Sequence, residues 1–261
     1  MTFSQSIIGP MNSMMRTEQA INLIRESNRI VALSGAGIST EAGIPDFRGP
    51  GGLWENEALM QQLSLSGFKR DPEGFYRGSM KLFSTMEQAK PTLAHKLLVR
   101  LEEIGKLKAV VTQNIDGLHH AAGSRKVYEL HGAYRTGHCP KCGARFEMAD
   151  FYSRIAGGHL KVPLCPGCAK PIKPDIVLFE DLLPEDAWQG SVDAAAQSDL
   201  MLVFGSSLVV YPAAELPMLA VSSGASLVIV NMEETAYDSL AKVVVRGSLG
   251  EFAQSALAAF A

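Results

Sequence analysis

Apolar residues along this chain fall into two alternating patterns. Short runs that are apolar at nearly every position, Ile30–Leu33, Ala109–Thr112, Leu200–Gly205 and Ser226–Asn231, predict strands of a parallel sheet buried on both faces. Between them lie stretches with apolar residues three or four apart, the helical period. Thr17–Ser27 carries Ala20, Ile21, Leu23 and Ile24; Thr92–Ile104 carries Ala94, Leu97, Leu98, Leu101 and Ile104 and stops at Gly105. Asp186–Asp199, Ala236–Lys242 and Gly250–Phe260 read as helices too, and Lys126–Leu130 and Ile172–Phe179 as further strands. Residues 49–90 lose strand character and show helical stretches rich in Phe, Met and Leu, broken at Asp71-Pro72 and closed by Lys90-Pro91.

Strands alternating with helices, and a glycine turn after the first strand, predict a doubly wound α/β domain of Rossmann-like type. Its core is expected from segments 16–48, 92–137 and 172–261, with a helical insertion at 49–91, a small cysteine module at 138–171, and residues 1–15 as a flexible extension. Ligands in such sheets bind beyond the carboxyl ends of the strands, so one pocket is expected there.

Composition narrows the partners. With 261 residues, a net charge of −3 and no run of like charge, the chain has no electrostatic footprint for direct nucleic-acid or anionic-membrane binding. No stretch approaches the roughly 18 apolar residues of a membrane helix. The first residues lack a secretory pattern, so a cytoplasmic protein is expected.

The four cysteines form two C-x-x-C pairs, Cys139/Cys142 and Cys165/Cys168, separated by 22 residues. Two thiolates on each tight turn suit tetrahedral zinc, and four leave no position for water, so a structural ion is expected. Disulfides or a redox motif are the alternative, disfavoured in a reducing compartment; a nucleic-acid-binding ribbon shares the spacing but lacks strongly basic surroundings.

Gly35-Ala36-Gly37 leaves the first strand as a turn whose N–H groups could approach a pyrophosphate, although the third glycine of G-x-G-x-x-G is Thr40 here. By itself the turn is equally explained as chain reversal. Ser34 to Gly49 nevertheless stands in order with Thr112-Gln113-Asn114-Ile115-Asp116-Gly117-Leu118-His119, Glu129-Leu130-His131-Gly132, the cysteine module, Gly205-Ser206-Ser207 and Val230-Asn231. Together these segments resemble the sirtuin family of NAD-dependent protein-lysine deacylases, from about Thr17 to the C-terminus.

The resemblance implies that an acyl-lysine carbonyl oxygen attacks the nicotinamide ribose and expels nicotinamide. His131 then activates a ribose hydroxyl for attack on the alkylimidate, giving free lysine and O-acyl-ADP-ribose. Asn114 and Asp116 would orient ribose, water and carboxamide with the Ile115 backbone, although Asn-Ile-Asp-Gly is also an ordinary turn composition. Asp46, Phe47 and Arg48 would form a mobile lid. Gly35, Ala36, Gly37, Thr40, Gln113, Gly205, Ser206, Ser207, Asn231 and Met232 would hold NAD, with Ser248 at the adenine edge. His119 is expected to pack beneath the loop and His95 to be structural.

For the acylated protein or peptide, Val177 and Phe179 would line the lysine tunnel and Glu180 and Asp181 would flank a backbone-paired peptide. Glu180 departs from the family's glycine, adding a charge beside the peptide and opposing positive φ. In the family this chain resembles, members that remove succinyl or malonyl groups carry a Tyr-x-x-Arg pair; the match here is Tyr76-Arg77-Gly78-Ser79, so the resemblance implies a neutral acyl group. A monomer is the expected state. ADP-ribosyl transfer and a non-catalytic NAD-binding scaffold are the alternatives.

Overall fold

The computed structural model describes residues 10–46 and 63–261. Six parallel strands form the main sheet: β1 (Ile30–Ser34), β2 (Leu107–Thr112), β3 (Val127–Glu129), β7 (Leu200–Phe204), β8 (Ser226–Asn231) and β9 (Val243–Arg246). Their order is β3-β2-β1-β7-β8-β9, the doubly wound order whose direction reverses between β1 and β7. Register aligns Ser34 with both Thr112 and Phe204, so these three strands end level. The residues that follow, Gly35, Gln113 and Gly205, therefore meet at one edge.

Successive residues of β1 face opposite layers. Ile30 and Ala32 pack with Ile24, Leu97, Leu101 and Phe252 from α1 (Pro10–Glu26), α4 (Leu93–Glu103) and α9 (Leu249–Ala259). Val31 and Leu33 pack on the other side, against the layer containing α7 (Glu185–Gln197) and α8 (Leu216–Ser222). Each fully buried leucine contributes about 1.5–3 kcal/mol relative to exposure, which is why these strands read as unbroken apolar runs.

A third core unites the helical segment with the cysteine module. Phe75, Tyr76 and Phe83 of α3 (Pro72–Gln88) and Phe68 of α2 (Leu65–Arg70) pack with Tyr134, Met148, Tyr152 and Ile172. These come from or flank β4 (Gly132–His138), β5 (Arg145–Glu147), α6 (Ala149–Ala156) and β6 (Lys173–Ile176), and β5-β4-β6 form an antiparallel sheet.

Several expectations are corrected. The first helix begins at Pro10, so part of the segment expected as a flexible extension is helical; Met and Arg are good helix formers, and the turn continues although Met14 and Met15 stay exposed. The strand expected to reach Phe179 stops at Ile176, because Lys173 Nζ bonds the Ile176 carbonyl and the Asp181 carboxylate, which in turn accepts from Leu178 N–H. Residues 236–242 hold only a 3-10 turn, Asp238–Leu240, and the next residues form the short edge strand β9. A further short helix, α5 (Leu118–Ala122), follows the β2 turn. Among the described residues no helix is long and apolar enough to cross a membrane.

Candidate active site

Two glycine turns make the floor of the site. Gly35 N–H donates to the Phe204 carbonyl and Gly37 N–H to the Gly205 carbonyl. A Cβ on Gly37 would lie 2.7 Å from Gly205 Cα, and Gly205 itself has φ +61°. Only glycines let these backbones meet so closely, and the region above them stays open for a ligand's charged backbone.

A cleft of approximately 1470 Å³ opens at this edge. It brings together Gly35, Ala36, Gly37, Thr40, Asp46, Gln113, Asn114, Ile115 and His131 with Gly205, Ser206, Ser207, Asn231, Met232 and Ser248, and with Val177, Phe179, Glu180 and Asp181. Phe47 and Arg48 lie outside the described residues. Asp116 is absent from the lining. It is buried behind the wall, accepting from Ser39 Oγ at 2.7 Å and from Leu118 N–H at 2.9 Å. Burial pushes its carboxyl up, and those two bonds oppose the shift.

Ser39 was not singled out by the sequence reading, and it links the two acidic-amide positions. Asn114 Nδ2 donates to Ser39 Oγ at 3.3 Å and to the Gly35 carbonyl at 3.1 Å, leaving Oδ1 as the group still able to accept. Glu41 was missed too. Its carboxylate accepts from Ser248 Oγ and from Gly250 N–H, pinning the turn after β1 to the first turn of α9. Ser248 also caps Glu251, so the hydroxyl expected to meet the adenine end of the cofactor is engaged within the protein. Both signals were legible only as a polar residue inside a glycine turn, which carries no partner information.

His131 lines the cleft, and its Nδ1 lies 2.8 Å from the Gln113 carbonyl. A carbonyl only accepts, so Nδ1 carries the proton and Nε2 is the basic nitrogen. Burial lowers the imidazole below its ordinary range, partly offset by that bond. Gln113 Oε1 accepts from Ser206 Oγ, whereas its Nε2 is buried with no partner, a donor awaiting a ligand.

Beneath the cleft runs a buried chain of polar groups. Thr92 N–H donates to His95 Nδ1, which places the His95 proton on Nε2. Ser34 Oγ donates to Thr112 Oγ1 and accepts from His119 Nε2, leaving Nδ1 of His119 as an acceptor. Thr112 Oγ1 in turn holds Asn114 N–H. The two ring nitrogens without a partner are thus one donor and one acceptor, on rings 4.7 Å apart. Burial drives His95 down to about 4 and His119 well below its usual value. Their folded pKa values are depressed, so stability is full above about pH 6.5 and is lost as pH falls toward 4. Each histidine contributes a slope of up to about 1.4 kcal/mol per pH unit. Chemical denaturation at pH 7 and pH 5 is expected to show this loss; equal midpoints would contradict it.

One part of the cleft is apolar. Leu63, Leu82, Phe83, Ile176 and Leu178 line it, and no lysine or arginine lines the cleft among the described residues. Tyr76 and Ser79 do not reach it; Tyr76 is buried with its hydroxyl on the Ile172 carbonyl. The Tyr-x-x-Ser segment therefore serves the third core.

Glu180 is corrected in one respect. It holds φ +77°, the left-handed conformation expected to be closed to it, and its carboxylate turns to Ser66. Such a conformation costs a non-glycine residue about 1–2 kcal/mol.

In the cysteine module the four Sγ atoms lie within 4.8 Å of one another, with pairs at 3.3, 3.6 and 3.8 Å. Tetrahedral zinc with sulfur at about 2.3 Å separates its ligands by about 3.8 Å, whereas a disulfide needs about 2.05 Å. The two knuckles match: Gly143 N–H reaches the Cys139 carbonyl and Ala169 N–H the Cys165 carbonyl. The donor set fits zinc.

Comparisons with known proteins agree with this geometry. Residues 35–212 match the model described as Sir2 family. An NAD-dependent protein deacetylase of Thermotoga maritima is 45% identical over 240 residues, covering 92% of this chain and 96% of that protein. An NAD-dependent protein deacylase 2 of Archaeoglobus fulgidus is 42% identical over 234 residues, covering 89% and 91%. A solved structure described as Sir2 with a p53 peptide and NAD+ superposes with a TM-score of 0.85 at 43% identity, covering 93% of this chain and 98% of that one. One of Sir2Tm bound to a propionylated peptide does so with a TM-score of 0.85 at 42% identity and the same coverage. A glycine-floored cleft at the sheet's switch point, a four-thiol module and likeness over nine-tenths of the length have one common explanation: this chain belongs to the Sir2 family.

Proposed function

We infer that this chain is an NAD-dependent protein-lysine deacylase acting on acetyl or other neutral acyl groups, with one structural zinc. The observation that carries the reading is His131: one nitrogen is fixed by the Gln113 carbonyl, and the residue stands in a cleft shared by the glycine floor and the apolar acyl end. Relatives bear the names deacetylase and deacylase, and similar solved structures hold acetylated and propionylated peptides.

NAD, when bound as co-substrate, would supply the electrophilic ribose carbon, with nicotinamide as the leaving group and ADP-ribose as the acceptor of the acyl group. The glycine turns, Gln113 Nε2 and the Ser206-Ser207 turn fit its polar length, and Asn231 and Met232 stand at the far edge. His131 Nε2 takes the proton from a hydroxyl, held in the neutral form by burial. Asn114 offers Oδ1 toward bound ribose or water, and Ser39 and Asp116 hold its loop. Leu82, Phe83 and Leu178 keep water from the acyl group. The four thiols, free of disulfide bonds, fit a reducing compartment such as the cytoplasm.

The test is mass spectrometry of an acetyl-lysine peptide with and without NAD. NAD-dependent loss of acetyl, with nicotinamide and O-acetyl-ADP-ribose formed, is the expected outcome. ADP-ribose on an otherwise unchanged protein acceptor would replace the reading with transferase chemistry.

A further inference from the structure

We propose that Glu180 is a positioning residue that clasps the peptide-docking loop onto helix α2 and so sets the mouth through which acylated peptide enters. The proposal rests on the deacylase reading for its consequence, while the clasp itself stands on geometry. Loop residues 177–183 line the cleft, as do Val209 and Tyr211. Beyond the Lys173–Asp181 ion pair, three connections hold this loop. Val177 N–H donates to the carbonyl of His131, tying the loop to the base. Phe179 N–H donates to the Leu63 carbonyl, and Leu65 N–H donates to the Phe179 carbonyl. Glu180 then adds its side chain: Oε2 accepts from Ser66 N–H and Oε1 from Ser66 Oγ, each at 3.0 Å.

Glutamate at φ +77° is a disfavoured choice where glycine would be free of strain. The two charge-assisted bonds across to α2 are what the side chain obtains there. Its carboxylate oxygens are consequently engaged with Ser66, while the group stays exposed and keeps its negative charge. The Phe179 N–H and carbonyl and the Asp181 N–H are likewise in use, so an extended peptide pairs with the loop's remaining backbone groups. A loop held this way presents the remaining groups in one arrangement before the peptide arrives, which lowers the ordering cost of binding.

The experiment compares Glu180→Gln, Glu180→Ala and Glu180→Gly with the wild-type chain. Glutamine can still meet Ser66 N–H and Oγ, alanine cannot, and glycine frees φ while removing the clasp. Alanine and glycine are expected to raise the KM for acetyl-lysine peptide about tenfold, with kcat and the KM for NAD within about twofold. Glutamine is expected to stay near wild type. Hydrogen exchange is read in parallel at the Ser66 amide, where alanine and glycine should reduce protection and glutamine should not. This arm needs no turnover, so an inactive wild-type chain would overturn the deacylase reading and leave the clasp to be judged by exchange alone. Unchanged protection in alanine and glycine overturns the clasp. A tighter peptide KM in glycine, with glutamine no better than alanine, overturns its positioning role and assigns Glu180 to direct contact with peptide.

Discussion

Replacing His131 with alanine is expected to lower kcat/KM by roughly 10²- to 10⁴-fold, the range in which a positioned general base contributes. The loss should fall on kcat, since the side chain's one hydrogen bond among the described residues, to the Gln113 carbonyl, holds the imidazole and not the fold. Circular dichroism of the variant should match wild type. The pH dependence follows from the same geometry. As the proposed base His131 would work as neutral imidazole, and burial lowers its pKa below the ordinary 6.5, the Gln113 bond opposing in part. Activity is therefore expected to rise through an inflection below pH 6.5 and to be level from about pH 7 to 8. A pH profile of kcat/KM in the wild type whose rising limb is centred above pH 7 would show that another group is the base.

Removing zinc should have the largest effect on stability. The module that Cys139, Cys142, Cys165 and Cys168 close has few strands, and buried Cys139 and Cys165 belong to the core that also holds Phe75, Tyr76 and Phe83. Structural zinc contributes about 10–16 kcal/mol of binding free energy in small isolated modules, and part of that is folding free energy here. Cys139→Ser, or prolonged chelation, is expected to release the ion and lower Tm by about 10 °C or more, taking the helical layer α2–α3 with it. Metal content by mass spectrometry and a melting curve check this. An unchanged Tm in a metal-free protein would mean that packing alone holds the module.

Readings that depend on local pattern match the structure where the pattern is strong. The continuous apolar runs at 30–33, 200–205 and 226–231 became the central strands, since residues buried on both faces must be apolar throughout. Elements with weak patterns were not legible. The strand at 243–246 is four residues long at a sheet edge, and the strands and helix around the cysteines are short pieces ordered by a shared core. Short elements present too few residues for a period to show.

The same division runs through the site. Gly35, Gly37, Gly205 and the four cysteines are identifiable from sequence because their chemistry needs those residue types in those turns, whereas His131 stood out only through the family motif it belongs to. Distance along the chain says nothing about the bonds that tune them. Ser39 on Asp116, Glu41 on Ser248, and His119 on Ser34 join residues 77, 207 and 85 positions apart. Glu180 shows the difference most plainly: its identity was readable as a departure from glycine, and its role turned on Ser66, 114 residues away. By itself the sequence determined the strand-and-helix alternation, the glycine turns and the thiol set, all properties of a residue and its neighbours in the chain; His131 was singled out as the candidate base only by the resemblance of its motif to a family. Tertiary structure decided which polar group each side chain meets, because a buried donor or acceptor must find a partner and only the folded chain brings that partner within reach.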